Sequence, residues 1–110
     1  MRAVLINPFD KSVSEVEYSG DYKDIYTLIG CDLFTVASDD QIDIWLDDEG
    51  LYKPGQAFFW YQGMGQPFAG KGLILCRDNE GESIGTSIDI DEVTNKIRWY
   101  TAQELLGLAA

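Results

Sequence analysis

Apolar residues recur along the chain with two different spacings, and the switches between them outline the elements. Arg2 to Ile6 is a short apolar run closed by Asn7-Pro8, which suits a buried strand ending in a turn, since proline cannot donate to a ladder. Val13 to Tyr18 predicts a second strand and an N-terminal hairpin turning around Asn7 to Ser12, with the imperfect alternation of Val13, Val16 and Tyr18 pointing to a bulge. From Asp21 the spacing turns helical. Tyr22, Ile25, Tyr26, Leu28 and Ile29 follow the helical repeat, with Ser19 or Asp21 available as cap and Gly30 as stop. Leu33 to Ala37 returns to strand character, and Ile42, Ile44 and Leu46 alternate with Asp43 and Trp45 as in a strand with one wet face.

The second half reads as a further β pair. Gln56 to Tyr61 is aromatic and continuous, a glycine-rich connection spans Gly63 to Gly72, and Leu73 to Cys76 is again a strand. Asp78-Asn79-Glu80-Gly81 is a turn whose neighbours Leu75 and Ile84 make a hairpin. Residues 88–100 admit two readings, a short helix over Asp89 to Asn95 followed by a strand Lys96 to Tyr100, or one more hairpin turning near Thr94-Asn95. Thr101-Ala-Gln-Glu104 has the form of a capping box for a last helical turn through Leu106, ended by Gly107. The expected fold is therefore α+β: one domain over residues 1–110, with a mostly antiparallel sheet of about five to seven short strands. One main helix over about residues 21–29 and a short C-terminal helix complete it.

Charge changes this picture more than composition does. Nineteen acidic residues against eight basic ones give a net charge of −11. Residues 31–50 contain seven acids and no base, whereas residues 51–77 contain three bases and no acid. A field of this sign repels nucleic acid and anionic membranes, which bind through Lys and Arg. It suits a protein partner with a basic surface, or simply a protein kept soluble by its charge. No run approaches the roughly 20 apolar residues needed to cross a bilayer, and the start is too soon interrupted for a secretory signal, so a cytoplasmic location is expected. Cys31 and Cys76 are far apart, without a second Cys or any His beside them. They read as reduced thiols in or near the core, with a single bridge as the alternative, and no zinc spacing is present.

Three segments invite a chemical reading. Gly65-Gln-Pro-Phe-Ala-Gly70-Lys71-Gly72 matches a phosphate-binding loop up to the lysine. It then departs: Gly72 stands where a hydroxyl must reach magnesium, Pro67 removes a backbone donor, and a strand rather than a helix follows. A long loop with glycines for turning and close packing is the plain reading. The residual one is a small nucleotide-like ligand held without hydrolysis, with Gly65, Gly70, Lys71 and Trp60 as the candidate set. The acidic group Asp39, Asp40, Asp43, Asp47, Asp48 and Glu49 lacks the spacing of a calcium loop, so no metal is expected there. It reads as a solvated negative ridge able to engage a basic partner, or as acidic protection of a sheet edge. Phe58-Phe59-Trp60-Tyr61 is a strand buried on one face, in which Trp60 or Tyr61 becomes an interface anchor if the other face is open.

Catalysis lacks its usual parts. The chain has no histidine, which removes the commonest general base and the Ser-His and Cys-His pairs. No cofactor is expected, and a carboxylate-only mechanism would need a concave pocket holding two acids.

Ala3-Val-Leu-Ile-Asn-Pro8, Leu28-Ile-Gly-Cys-Asp-Leu-Phe-Thr-Val36, Ile44-Trp-Leu-Asp-Asp-Glu-Gly-Leu51 and Pro67-Phe-Ala-Gly-Lys-Gly-Leu-Ile-Leu75 together resemble a family of small phage, prophage and plasmid proteins catalogued as a domain of unknown function. The resemblance implies an accessory protein of a mobile element acting in bacterial cytoplasm, by association an inhibitor or regulator of a host protein. The expectation from residues and resemblance together is a non-enzymatic acidic binding protein, with nucleotide sequestration around Lys71 as the alternative.

Overall fold

The computed structural model describes residues 1–109, with the side chains of residues 1–107. In chain order the elements are β1 (Arg2–Asn7), β2 (Ser12–Glu17), α1 (Lys23–Ile29), β3 (Phe34–Ser38), β4 (Asp43–Asp47), a 3-10 turn (Gly50–Tyr52), β5 (Ala57–Tyr61), β6 (Phe68–Ala69), β7 (Gly72–Arg77), β8 (Ser83–Ile84), α2 (Ile90–Asn95), β9 (Ile97–Thr101) and α3 (Ala102–Ala109). The fold is α+β with antiparallel pairing throughout. A six-stranded sheet has the order β2-β1-β7-β4-β3, with β8 added to the end of β7, and a three-stranded sheet has the order β6-β5-β9.

The alternation of side chains along each strand makes the large sheet the middle of three layers. On one face α1 lays Ile25 and Ile29 against Ala3, Leu73 and Leu75, with Tyr18 and Cys31 closing the cluster. On the other face Val4, Ile6, Ile44, Leu46 and Ile74 meet Phe59 and Tyr61 of the small sheet and Val93 of α2. Leu73, Ile74 and Leu75 are all fully buried, because β7 lies at the centre with both faces covered. That is the physical meaning of its unbroken apolar run. Each such side chain contributes about 1.5–3 kcal/mol of burial, which makes β7 the strand the core depends on most.

Local signals set the element ends. The N-cap of α1 is Tyr22, not Ser19 or Asp21, and it makes no side-chain cap bond; Asp21, one residue earlier, accepts from Lys23 N at 3.0 Å in its own turn. Gly30 closes α1 in the left-handed conformation at φ 67°, and Cys31 N reaches back to Tyr26 O at 3.0 Å. Residues 88–100 take the helix-then-strand form, with Asp89 capping α2 through Asp91 N at 2.9 Å. The reciprocal bonds of Thr101 and Glu104, each 3.1 Å, form the capping box of α3.

Five further expectations need correction. The β1–β2 register runs unbroken from Arg2↔Glu17 to Asn7↔Ser12, so the N-terminal hairpin has no bulge. Strands β5 and β7 do not pair. They belong to different sheets, β5 finding β6 and β9 instead. The connection over residues 63–72 contains the short strand β6. The Asp43–Trp45 face of β4 is not wet: Trp45 packs into the α1 cluster and against Phe34, and Asp43, held by Arg77 and Ser38, is only 2% exposed. Gly107 does not end the last helix, which runs on to Ala109.

Candidate functional site

The β3–β4 hairpin carries the acidic group, and the structure divides it. Asp43 is buried beside Arg77, with its Oδ2 3.2 Å from Arg77 Nε and its Oδ1 accepting from Ser38 Oγ at 2.6 Å. Asp47 is held at 2.5 Å by Lys53 Nζ, and the hydrogen bond from the ammonium raises the Lys53 pKa. Asp39 folds its own turn, accepting from Gln41 N at 2.7 Å and Ile42 N at 2.8 Å. Asp40, Asp48 and Glu49 are exposed and form no ion pair among the described residues. The six carboxylates therefore do not make one continuous ridge. Asp39, Asp43 and Asp47 serve the fold; β3 is flanked by Asp40, next to the turn-forming Asp39, at one end and by Asp48 and Glu49 at the other, where Asp48 N bonds Leu33 O at 2.9 Å.

Between β3 and the segment Gln66–Ala69 lies a groove of about 270 Å³. It arises because the small sheet is narrower than the large one and leaves the inner face of β3 uncovered. Its lining includes the buried Leu46 and Phe68, Leu51, which is 72% exposed, and from β3 Thr35, Val36 and Ala37, of which Thr35 and Ala37 share the inner face with Leu46. Among the described residues strand β3 pairs with β4 alone, so its other edge presents free backbone donors and acceptors. Natural edges are blunted by charge, proline or a bulge. β2, the opposite edge, carries Glu15 and Glu17, but Phe34-Thr-Val-Ala-Ser38 has no charge and no proline, and its register with β4 is unbroken.

The glycine-rich loop resolves into packing. Gly72 begins β7, and a β-carbon there would stand 2.8 Å from Phe59 Cζ and 3.1 Å from Ile44 Cγ2, so the position that breaks the phosphate-loop pattern is one where the core leaves no room for a side chain. Gly70 turns the chain at φ 81°, its N–H held by Ala57 O at 2.9 Å. Lys71 is half-buried between β6 and β7. Trp60 lines a pocket with Gln62, Asn95, Lys96, Ile97 and Arg98, and neither Gly65, Gly70 nor Lys71 lines it; of the candidate set Gly65 comes beside the indole, whose Nε1 donates to the preceding Met64 O at 2.9 Å. Along β5, Phe59 and Tyr61 point into the core while Trp60 is half-buried on the outer side. Tyr61 is thereby removed as an interface anchor. Burial pushes its pKa up to about 12, with the charges of Asp39 and Glu92 adding.

Both cysteines are free thiols. Burial, with Asp47 adding and Lys53 opposing, pushes the Cys31 thiol up to about 11, which keeps it protonated and unreactive near neutral pH. Cys76 is half-buried, its Sγ 3.6 Å from Gln41 O. The groove is lined by Asp47 and Asp48, but the Asp47 carboxylate is already engaged by Lys53.

A family description matches residues 1–98, nearly the whole chain: domain of unknown function, DUF3846. The chain belongs to that family. No curated protein and no solved structure matches it. Whatever this DUF3846 domain does must thus be argued from its own surface. No helix among its described residues is long and apolar enough to cross a membrane. The residues that sequence reasoning passed over are Val36 and Leu51 at the groove and Lys96 and Arg98 beside Trp60. A signal for the last two existed, since Lys96 and Arg98 alternate with Ile97 and Trp99. Which strand they would face is set by a pairing to β5 from which more than thirty residues separate them in sequence.

Proposed function

We propose that this chain is a non-enzymatic binding protein, an accessory factor of mobile-element origin working in bacterial cytoplasm. It engages a basic, extended segment of a host protein along the β3 edge and so acts as inhibitor or regulator. The single observation that carries the reading is the uncharged, unprotected edge strand beside an apolar groove, flanked at both ends by carboxylates. An added strand on β3 would gain backbone hydrogen bonds along the edge, and every second side chain would enter the groove over Leu46 and Phe68. The remaining side chains, if lysine or arginine, would meet Asp39, Asp40, Asp48 and Glu49. Charge argues against a second copy of this chain as the occupant, because each copy would bring the same acids and a net charge of −11.

The test uses two synthetic peptides, one alternating lysine with valine and one alternating glutamate with valine, titrated into the labelled protein by NMR. The basic peptide is expected to shift the amides of Phe34 to Ser38 and Leu51, and the acidic one to leave them unmoved. Asp48→Lys with Glu49→Lys, both at exposed positions, should weaken the basic peptide about five- to tenfold without altering the fold. Equal binding of both peptides overturns the proposal, as does a β3 edge already closed by a dimer in sedimentation.

A further inference from the structure

A second site lies where the small sheet ends. Of the eight basic residues, Arg2, Lys53 and Arg77 are paired with Glu15, Asp47 and Asp43. The other five, Lys11, Lys23, Lys71, Lys96 and Arg98, form no ion pair among the described residues, and of these Lys96 and Arg98 come together. Both line a pocket of about 380 Å³, within the range of small-ligand sites.

The strand register explains why they meet there. Trp60 stands opposite Arg98 and Tyr61 opposite Ile97, and the bond from Gln62 N to Lys96 O at 2.9 Å carries the pairing one residue further. Alternate residues share a face. Phe59, Tyr61, Ile97 and Trp99 turn toward the core, which leaves Trp60, Gln62, Lys96 and Arg98 together on the outer side. Asn95, the last residue of α2, completes the rim. Lys96 follows the C-terminal end of α2, where a cation offsets the helix dipole, but Arg98, two residues on, has no such duty.

The lining is specific in kind. It contains two cations, two side-chain amides, one indole and Ile97, and no carboxylate. Trp60 Nε1 donates to Met64 O at 2.9 Å, so the indole is fixed in place and what it can offer a ligand is its ring surface. A guanidinium takes a phosphate with two parallel hydrogen bonds and an ammonium adds a point charge. An aromatic surface stacks a flat heterocycle, and amides can pair with the edge of a base.

We propose that this pocket binds a free nucleoside phosphate, its phosphate held by Lys96 and Arg98 and its base laid on Trp60. A free nucleotide fits better than a nucleic-acid strand because the two cations are local, whereas the whole chain at −11 repels a polyanion. The site shares no residue with the β3 groove, so either proposal can fail without the other.

Calorimetry with AMP, GMP, CMP and UMP, with inorganic phosphate, with adenosine, and with a single-stranded oligonucleotide tests this. At least one mononucleotide should bind, more tightly than phosphate or adenosine. Arg98→Gln should weaken it about tenfold or more, the loss expected for a charge-assisted pair, and Lys96→Gln should weaken it less. Trp60→Leu should weaken the nucleotide while leaving inorganic phosphate unaffected, and NMR shifts should centre on Gln62 and Arg98. Absence of binding by every mononucleotide at millimolar concentration overturns the proposal. So does binding unchanged in Arg98→Gln and Lys96→Gln, or an oligonucleotide that binds more tightly than any mononucleotide.

Discussion

Gly72 illustrates how one residue can look functional and be structural. Its α-carbon lies so close to Phe59 and Ile44 that the smallest possible side chain overfills the space. Gly72→Ala should therefore cost about 1–3 kcal/mol, the usual penalty of overpacking, read as a lower urea midpoint with an unchanged slope. Phe59→Leu, itself destabilising at a fully buried site, should cost less in the Gly72→Ala background than alone, because it withdraws the ring atom at 2.8 Å. A second residue-scale effect is alkaline. Cys31 is raised from 9.0 to about 11 and Tyr61 from 10.0 to about 12, both by burial first. Between those values the folded chain keeps protons that the unfolded chain has released, so this part of the stability is complete below about pH 9 and is lost as pH rises through 11 and then 12. The urea midpoint should fall steadily above pH 9, and less steeply in Tyr61→Phe. A midpoint that stays level from pH 9 to 11 would remove the effect.

At the scale of elements, β4 and β7 are joined by more than their ladder. Arg77 on β7 reaches Asp43 on β4, whose carboxylate is buried while the arginine is 47% exposed. Arg77→Met leaves that carboxylate without its counter-charge. A fully buried pair loses about 3–5 kcal/mol in this way, and because water still reaches Arg77 the expected loss here is about 2 kcal/mol. Asp43→Asn added to Arg77→Met should return most of it, since an amide oxygen can still accept from Ser38. A double-mutant cycle in urea measures the coupling. The same pair marks what the sequence could and could not convey. Alternation at Ile42, Ile44 and Leu46 located β4 and its core face, and the helical repeat of Ile25 and Ile29 and the Thr101–Glu104 box located two helices, because these are local signals. That Trp45 packs into the α1 cluster and that Arg77 of β7 pairs with Asp43 are not local, and together they turned an apparent wet face into a buried one. The two-sheet division is equally non-local, since β5 must pass over β7 to pair with β9. For the same reason the groove at β3 and the Trp60–Arg98 pocket were legible only as residues, not as places.

For the whole molecule the dominant quantity is the net charge of −11, and it acts with opposite signs on folding and on the proposed partner. Self-repulsion among nineteen acids opposes compaction, and among the described residues four ion pairs offset it, made by Arg2, Lys53, Arg77 and the N-terminal amine of Met1 with Glu17. Raising NaCl from about 0.01 M to about 0.1 M shortens the screening length from about 30 Å to about 10 Å. Repulsion spread over the surface should then weaken, and the melting temperature should rise by a few degrees, roughly the equivalent of 0.5–1 kcal/mol. The attraction between the carboxylates flanking β3 and a lysine-valine peptide is screened by the same salt, so its affinity should fall over the same interval. Measured together on one sample series, a rising melting temperature with falling affinity identifies long-range acidic charge as the common cause. A melting temperature that falls with salt would mean instead that the four ion pairs outweigh the repulsion. Affinity indifferent to salt would place the peptide's binding energy in the apolar groove over Leu46 and Phe68 rather than in the acids around it.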